Sequence, residues 1–288
     1  KKILLNEDKN YIEVTNLLIS NKGEINQFHK IDLNYLDKEN LKNKIQITRS
    51  KKVYHLKGES FNIDKIIESL LDTKIKRKDL FKNDFNLKVS VKKVFLDELN
   101  VIKNLNGNLS IQNNDIYDAK LNAVFENQDK ISFTVKKNSE EKITTLFSSR
   151  AKPFVKRYKF IKGFDEGSLD FYSVKKNSQT ISTLKIYDFK LKKLPALTKI
   201  LTLASLQGIA DLLSGEGIRF NEFEMNYSNK DSLMTIDEIY SIGPAISVLM
   251  SGYVEKDKLI SLRGTLVPAT TLNKTIGSIP FLGDILVG

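Results

Sequence analysis

The chain has 288 residues, 41% of them apolar and 28% charged, which excludes a disordered chain and leaves room for two domains or one elongated β structure. It has no Cys, which excludes disulfides, thiol catalysis and thiolate metal sites. The net charge is +11, but only 6 of the 46 basic residues are Arg, and the Lys residues are spread along the whole chain, a solvated outer face rather than a nucleic-acid patch.

Residue 1 is Lys, and the chain stops abruptly at Gly283-Asp284-Ile285-Leu286-Val287-Gly288. The sequence therefore reads as a piece of a longer protein, with any signal peptide or membrane anchor expected upstream. No run of about 20 apolar residues is free of charge, so no transmembrane helix is expected within it.

In chain order, Val53 opens a strand that passes through Gly58-Glu59-Ser60-Phe61 into a predicted helix near 62–71, where Ile63, Ile66, Ile67, Leu70 and Leu71 share one face. Period-two alternation then dominates. Phe85, Leu87, Val89 and Val91 alternate with Asn86, Lys88 and Ser90; Leu121, Ala123 and Phe125 follow; Ile131, Phe133 and Val135 come after a polar turn at 126–130. Successive side chains of a strand point to opposite faces, so each run has one apolar and one wet face. A short helix is predicted at 152–161. Leu169 and Phe171 resume the alternation. A third helix is predicted at 195–213, opened by Pro195, closed by Gly215 and apolar nearly all round. Strands return with Phe223, Met225 and Tyr227, with Ile246, Val248 and Met250, and with Leu262 and Leu266 flanking Gly264. The pattern predicts a mainly β fold: an antiparallel meander with one dry face and a few short helices.

No catalytic constellation emerges. His29 and His55 are the only histidines, too few and too far apart for a metal site. The carboxylate pairs Asp165-Glu166 and Asp237-Glu238 are neighbours whose side chains diverge. Gly215-Glu216-Gly217 lacks the Lys and Ser/Thr of a phosphate loop, and Gly163 with Gly167 is only part of a dinucleotide fingerprint. Phe and Tyr total 26, and they fall in register with aliphatic residues, as core or groove lining rather than a base-stacking platform. No catalytic residue, metal or cofactor is expected.

The C-terminal third carries a longer signal. Residues 194–220 contain the pattern LxxASLQGxxDLLSGEGxRF, from Leu201 to Phe220. It is followed by Ser241-Ile242-Gly243-Pro244-Ala245, Ser251-Gly252, Leu262-Arg263-Gly264-Thr265-Leu266-Val267-Pro268-Ala269, Leu272-Asn273 and Ile279-Pro280-Phe281-Leu282-Gly283. In order and spacing this resembles the C-terminal region of AsmA-like bacterial envelope proteins, especially their YhdP-type branch. Upstream, Gly163-Phe164-Asp165-Glu166-Gly167-Ser168-Leu169 is similar to the family's GG-x-L turn, with Glu166-Gly167 in place of the doublet. The resemblance covers roughly residues 145–288 and is faint before that.

The resemblance implies an elongated, curled β-sheet open along one side, an open β-groove with a hydrophobic inner face. It implies β-groove modules over 1–144, continuous with a family-like C-terminal region over 145–288. It further implies a periplasmic protein, anchored in the inner membrane by an N-terminal helix absent here, that carries phospholipids between the inner and outer membranes without enzymatic activity. The expected partners are phospholipid, a membrane surface and other envelope proteins, with no nucleic acid.

The expected groove lining is Phe85, Leu87, Val89, Val91, Leu121, Phe125, Ile131, Phe133, Val135, Leu169, Phe171, Phe223, Met225, Ile246, Val248, Met250, Leu262 and Leu266. Leu197, Ile200, Leu201, Leu212, Leu213, Ile279, Phe281 and Leu282 are expected at the groove end, as a plug or as a membrane contact. One rival reading is an envelope scaffold that assists outer-membrane protein assembly and uses the dry face as a closed core. The other is a module that binds anions or nucleic acid.

Overall fold

The computed structural model describes residues 2–71, 81–157, 163–192, 215, 217–255 and 259–268. The chain divides into two compact units, 1–147 and 148–288. The expectation of a mainly β fold holds: the sheet is mostly antiparallel, curled and unclosed, with two short helices among the described residues.

The first unit contains β1 (Ile3–Glu7), β2 (Asn10–Thr15), β3 (Leu18–Ile19), β4 (Ile25–Gln27), β5 (Lys30–Leu36), β6 (Lys42–Ser50), β7 (Val53–Asn62), α1 (Asp64–Leu71), β8 (Phe85–Phe95), β9 (Val101–Gln112), β10 (Asp115–Val124), β11 (Lys130–Lys137) and β12 (Lys142–Ser148). The hydrogen-bonded order is β1-β2-β5-β6-β7-β8-β9-β10-β11-β12, with β3 and β4 set apart as a two-stranded hairpin. Tight turns set the registers. Asn113 and Asn114 both have positive φ (50° and 56°) between Gln112 and Asp115, which face each other across β9 and β10. Two such residues match the right-handed twist of the flanking strands, and Asn tolerates that conformation better than most.

A simple antiparallel meander fails at one place. β7 and β8 run parallel, with Val53 beside Asn86 and Asn62 beside Phe95. Parallel neighbours need a crossover of a dozen or more residues, and α1 lies in that connection. The predicted helix also starts later than its apolar pattern suggests. Ser60 faces Lys44 on β6 and Lys93 on β8, so hydrogen bonding on both sides extends β7 to Asn62. The Asn62 side-chain oxygen then accepts from the Asp64 N–H at 3.0 Å as α1 begins.

The second unit contains α2 (Lys152–Val155), β13 (Phe164–Lys176), β14 (Gln179–Leu191), β15 (Ile218–Lys230), β16 (Leu233–Ile242), β17 (Ile246–Glu255) and β18 (Leu259–Pro268). The six strands follow one another in chain order and each pairs antiparallel with the next, a true meander. α2 is a single turn with Pro153 in its first turn, and Ala151, Pro153 and Val155 are buried. It is shorter than the helix expected over 152–161, and residues 158–162 lie outside the described set. So do the helix expected at 195–213 and the apolar tail at 270–288.

One end of the second unit is fastened by charge. Asp165 accepts from the Lys152 ammonium at 2.7 Å and from the Lys192 ammonium at 2.7 Å, which ties α2 and the end of β14 to the start of β13. These two hydrogen bonds hold its carboxyl well below the usual carboxylate range. A carboxylate with a depressed folded-state pKa stabilises the fold above its unfolded pKa, and that contribution is lost as pH falls through the folded value. Asp165→Asn should therefore lower stability at pH 7 by about 1 kcal/mol. The melting-temperature gap to wild type, followed by circular dichroism, should narrow as the pH drops below about 4.

Candidate functional site

Residues directly opposed in neighbouring strands place their side chains on the same face, so the registers trace rows across each sheet. In the first unit one row reads Ile3, Val14, Ile31, Ile47, Leu56, Val89, Gly107, Leu121, Phe133 from β1 to β11. The next reads Tyr54, Leu87, Leu109, Ala119, Val135 from β7 to β11. The opposite face carries Lys88, Asn108, Lys120 and Thr134 in one row and Ser90, Asn106, Asn122 and Ser132 in another. Apolar and wet sides are thus sorted strand by strand.

Among the expected lining residues of this unit, Phe85, Leu87, Val89, Val91, Leu121, Ile131, Phe133 and Val135 all fall on the apolar face. Their surroundings differ. Phe85 and Leu87 are covered by an excursion of the chain: Leu17 and Phe28, which flank the β3–β4 hairpin, cluster with Tyr54, and Phe81, Phe85 and Leu87 pack against them. The Phe28 and Tyr54 rings lie 4.5 Å apart, Tyr54 meets Phe85 edge-on at 5.5 Å, and Phe81 and Phe85 are 4.7 Å apart. Val91, Ile131 and Val135 are buried, as is Phe125, which lies past the end of β10 in the turn where its N–H donates to the Asp129 carbonyl. The accessible stretch is made by Val89, Leu121 and Phe133 with Leu56, Leu105 and Leu109, all only half-buried.

The second unit repeats the arrangement. One row reads Leu169, Ile186, Phe223, Ser241, Val248, Leu266, and the next Phe171, Leu184, Met225, Ile239, Met250, Gly264. Ile246 and Leu262 lie on the same face, opposite Pro268 and Gly252. Leu169 and Ile246 are buried near one end of the sheet. There Phe164, Phe189 and Phe220 stack with centroids 5.3 and 5.2 Å apart, and Phe223 meets Phe189 edge-on. Phe171, Phe223, Met225, Val248 and Met250 are half-buried, and Leu262 and Leu266 on β18 are exposed.

The opposite side of this unit holds a polar network. The Lys185 ammonium lies 2.6 Å from Glu224, which also accepts from the Tyr240 hydroxyl at 2.9 Å and from the Asn226 amide at 2.9 Å. Lys185 holds the Glu224 carboxyl below its ordinary range, and Glu224 pushes the Tyr240 phenol up. Neither unit, among the described residues, has a second sheet of more than two strands to lie over its apolar face. Among the described residues no cluster of three His, Asp or Glu could hold a metal, and no helix is long and apolar enough to cross a membrane.

His29 and His55 do not converge: His55 stands opposite Thr48 and Lys88 on the wet side. The rows before residue 85 were not in the expected lining. Their signal is present in Ile31 and Leu33, Ile45 and Ile47, and Tyr54 and Leu56, but each run is short. The groove-end residues Leu197, Ile200, Leu201, Leu212, Leu213, Ile279, Phe281 and Leu282 lie outside the described residues.

No protein-family model, curated protein or solved structure matches the chain.

Two glycines within the apolar rows stand where the neighbouring strand leaves no room for a Cβ. Gly107 (φ +154°) and Gly252 (φ +153°) adopt a conformation open to glycine, and a Cβ there would lie 1.9 Å from the Lys120 carbonyl oxygen and 2.0 Å from that of Ser261. Gly107→Ala must displace β10 or shift its own backbone, so it should cost about 2 kcal/mol or more and lower the melting temperature by roughly 5 °C. Asn108→Ala, on the wet face, is the control and should melt within about 1–2 °C of wild type.

Proposed function

We propose that the chain binds the acyl chains of phospholipids on its apolar sheet faces, as a non-enzymatic, periplasmic part of a lipid-carrying protein between the inner and outer membranes of the bacterial envelope. The observation that carries this reading is the half-buried apolar surface of Val89, Leu121 and Phe133 in one unit and of Phe171, Met225, Val248 and Met250 in the other. Contiguous exposed apolar surface is uncommon on soluble proteins unless something binds there.

The chemistry of the ligand follows from the lining. Leu, Val, Phe and Met offer dispersion and exclusion of water but no directional contact, which suits a flexible hydrocarbon chain. Each methylene removed from water stabilises the complex by about 0.8 kcal/mol. A headgroup needs only water or a polar rim. The resemblance of the C-terminal third to AsmA-like envelope proteins supports the same ligand and supplies the cellular setting.

The test is native mass spectrometry of lipids that purify with the chain. Phe133→Asp or Val248→Asp places a charge in the path of the tails and should remove most of the bound lipid. Lys136→Glu, exposed and opposite Asp118, should retain it. The melting curves of the Asp variants are to be recorded alongside. A folded Asp variant that still carries wild-type amounts of lipid contradicts the reading.

A further inference from the structure

At one end of the apolar face of the first unit lies a cavity of about 350 Å³ lined by Asn16, Gln27, Phe28, His29, Arg49 and Lys51. Its position follows from the register. Arg49 is opposite Tyr54, which is beside Leu87, so the guanidinium-bearing residue continues the same row as the apolar lining. On its other side the Arg49 N–H donates to the His29 carbonyl at 2.9 Å, and the His29 N–H donates to the Thr15 carbonyl at 3.0 Å. Where the row would otherwise continue with Val or Leu, the chain places Arg.

The guanidinium is held rather than free. One Nη donates to the Gln27 side-chain carbonyl, and the guanidinium carbon lies 5.9 Å from the centre of the Tyr54 ring. Its Nε–H is buried and finds no acceptor among the described residues. A buried donor on a cation, left without an acceptor, is costly, so the bonding of this guanidinium within the chain is incomplete. Lys51 adds a second cation from the β6–β7 turn, and no carboxylate is among the lining residues. Phe28 belongs both to the cavity wall and to the aromatic cluster over Leu87, so the polar cavity and the apolar face share a boundary.

We propose that this cavity binds a phosphate group through Arg49 and Lys51, and that the phosphate is that of a phospholipid headgroup whose tails reach past the aromatic cluster to the half-buried stretch of Val89, Leu121 and Phe133 on the same face. The second half rests on the lipid reading given above; the first does not. A guanidinium presents planar paired donors that match phosphate oxygens, and a cation at the end of an apolar row would fix which end of a lipid lies there.

The experiment is calorimetric titration of the 288-residue chain with three probes: inorganic phosphate, dihexanoylphosphatidylglycerol and uncharged dihexanoylglycerol. Wild type should bind the phospholipid more tightly than the diacylglycerol. Arg49→Gln and Lys51→Asn should each weaken phospholipid binding about tenfold, the loss expected for one charge-assisted hydrogen bond, and leave diacylglycerol binding unchanged. Lys51 is exposed with φ 56°, a conformation Asn tolerates, so Lys51→Asn tests the site without risk to the fold. If both variants bind the phospholipid as wild type does, the phosphate site is overturned while the lipid reading stands. If inorganic phosphate binds and Arg49→Gln loses it, yet neither dihexanoyl compound binds, the site takes free phosphate and the headgroup assignment is overturned. If wild type binds none of the three, both proposals fall.

Discussion

Strand register governs the rest of the structure. The side-chain period of a strand is two, so a slip of one residue in any pairing would move that strand's apolar residues to the wet face. In the first unit Val89, Leu121 and Phe133 meet in one row only because β8 to β11 keep their alignments through Gly107 and through the irregularities of the β9–β10 ladder. In the second unit the row from Leu169 to Leu266 passes through five ladders, one of them shifted beside Asn226 and another between Ile236 and Ile239. Those shifts keep the alternation in phase across neighbours, a usual role of β-bulges.

A sorted face normally finds a second layer, since burial against another sheet or helix is what stabilises a one-sided sheet. Here the cover seen among the described residues is local. In the first unit it is the β3–β4 excursion with Leu17 and Phe28, and in the second it is the end of the sheet where three phenyl rings stack. Away from its covered part, each unit keeps apolar rows that are only half-buried. A covered part supplies fold stability and a half-buried stretch is the proposed binding surface, so on this reading one face serves both needs. The polar faces complete the arrangement. Lys185, Glu224, Tyr240 and Asn226 are occupied with one another on the wet side of the second unit, which keeps charge away from the apolar rows.

Much of this was legible in the sequence, because period two needs no tertiary information. Phe85 to Val91, Ile131 to Val135 and Ile246 to Met250 announce both strand and face. The antiparallel turns were legible too, as at Asp231, where φ is 54°. The parallel pairing of β7 with β8 was not, since alternation is the same for either direction and only the crossover length distinguishes them. The end of β7 was also hidden. Ser60 and Phe61 fit a helical start as well as a strand, and pairing of Ser60 with Lys44 and Lys93 on the two neighbouring strands decided for the strand. Arg49 could not be recognised at all, because one cation after Ile45 and Ile47 looks like the polar end of a strand. Its place beside Tyr54 and the β3–β4 excursion depends on contacts between residues far apart in the chain.

The central claim is that lipid tails lie on the apolar face of each unit and not merely near the protein. Photo-crosslinking with a phospholipid bearing a diazirine midway along one acyl chain, followed by peptide mapping, tests it most directly. The account predicts adducts on strand positions of the half-buried rows, at Val89, Leu121, Phe133, Phe171, Met225, Val248 and Met250. Adducts spread equally over Lys88, Asn108, Lys120 and Tyr240 on the wet faces would contradict it.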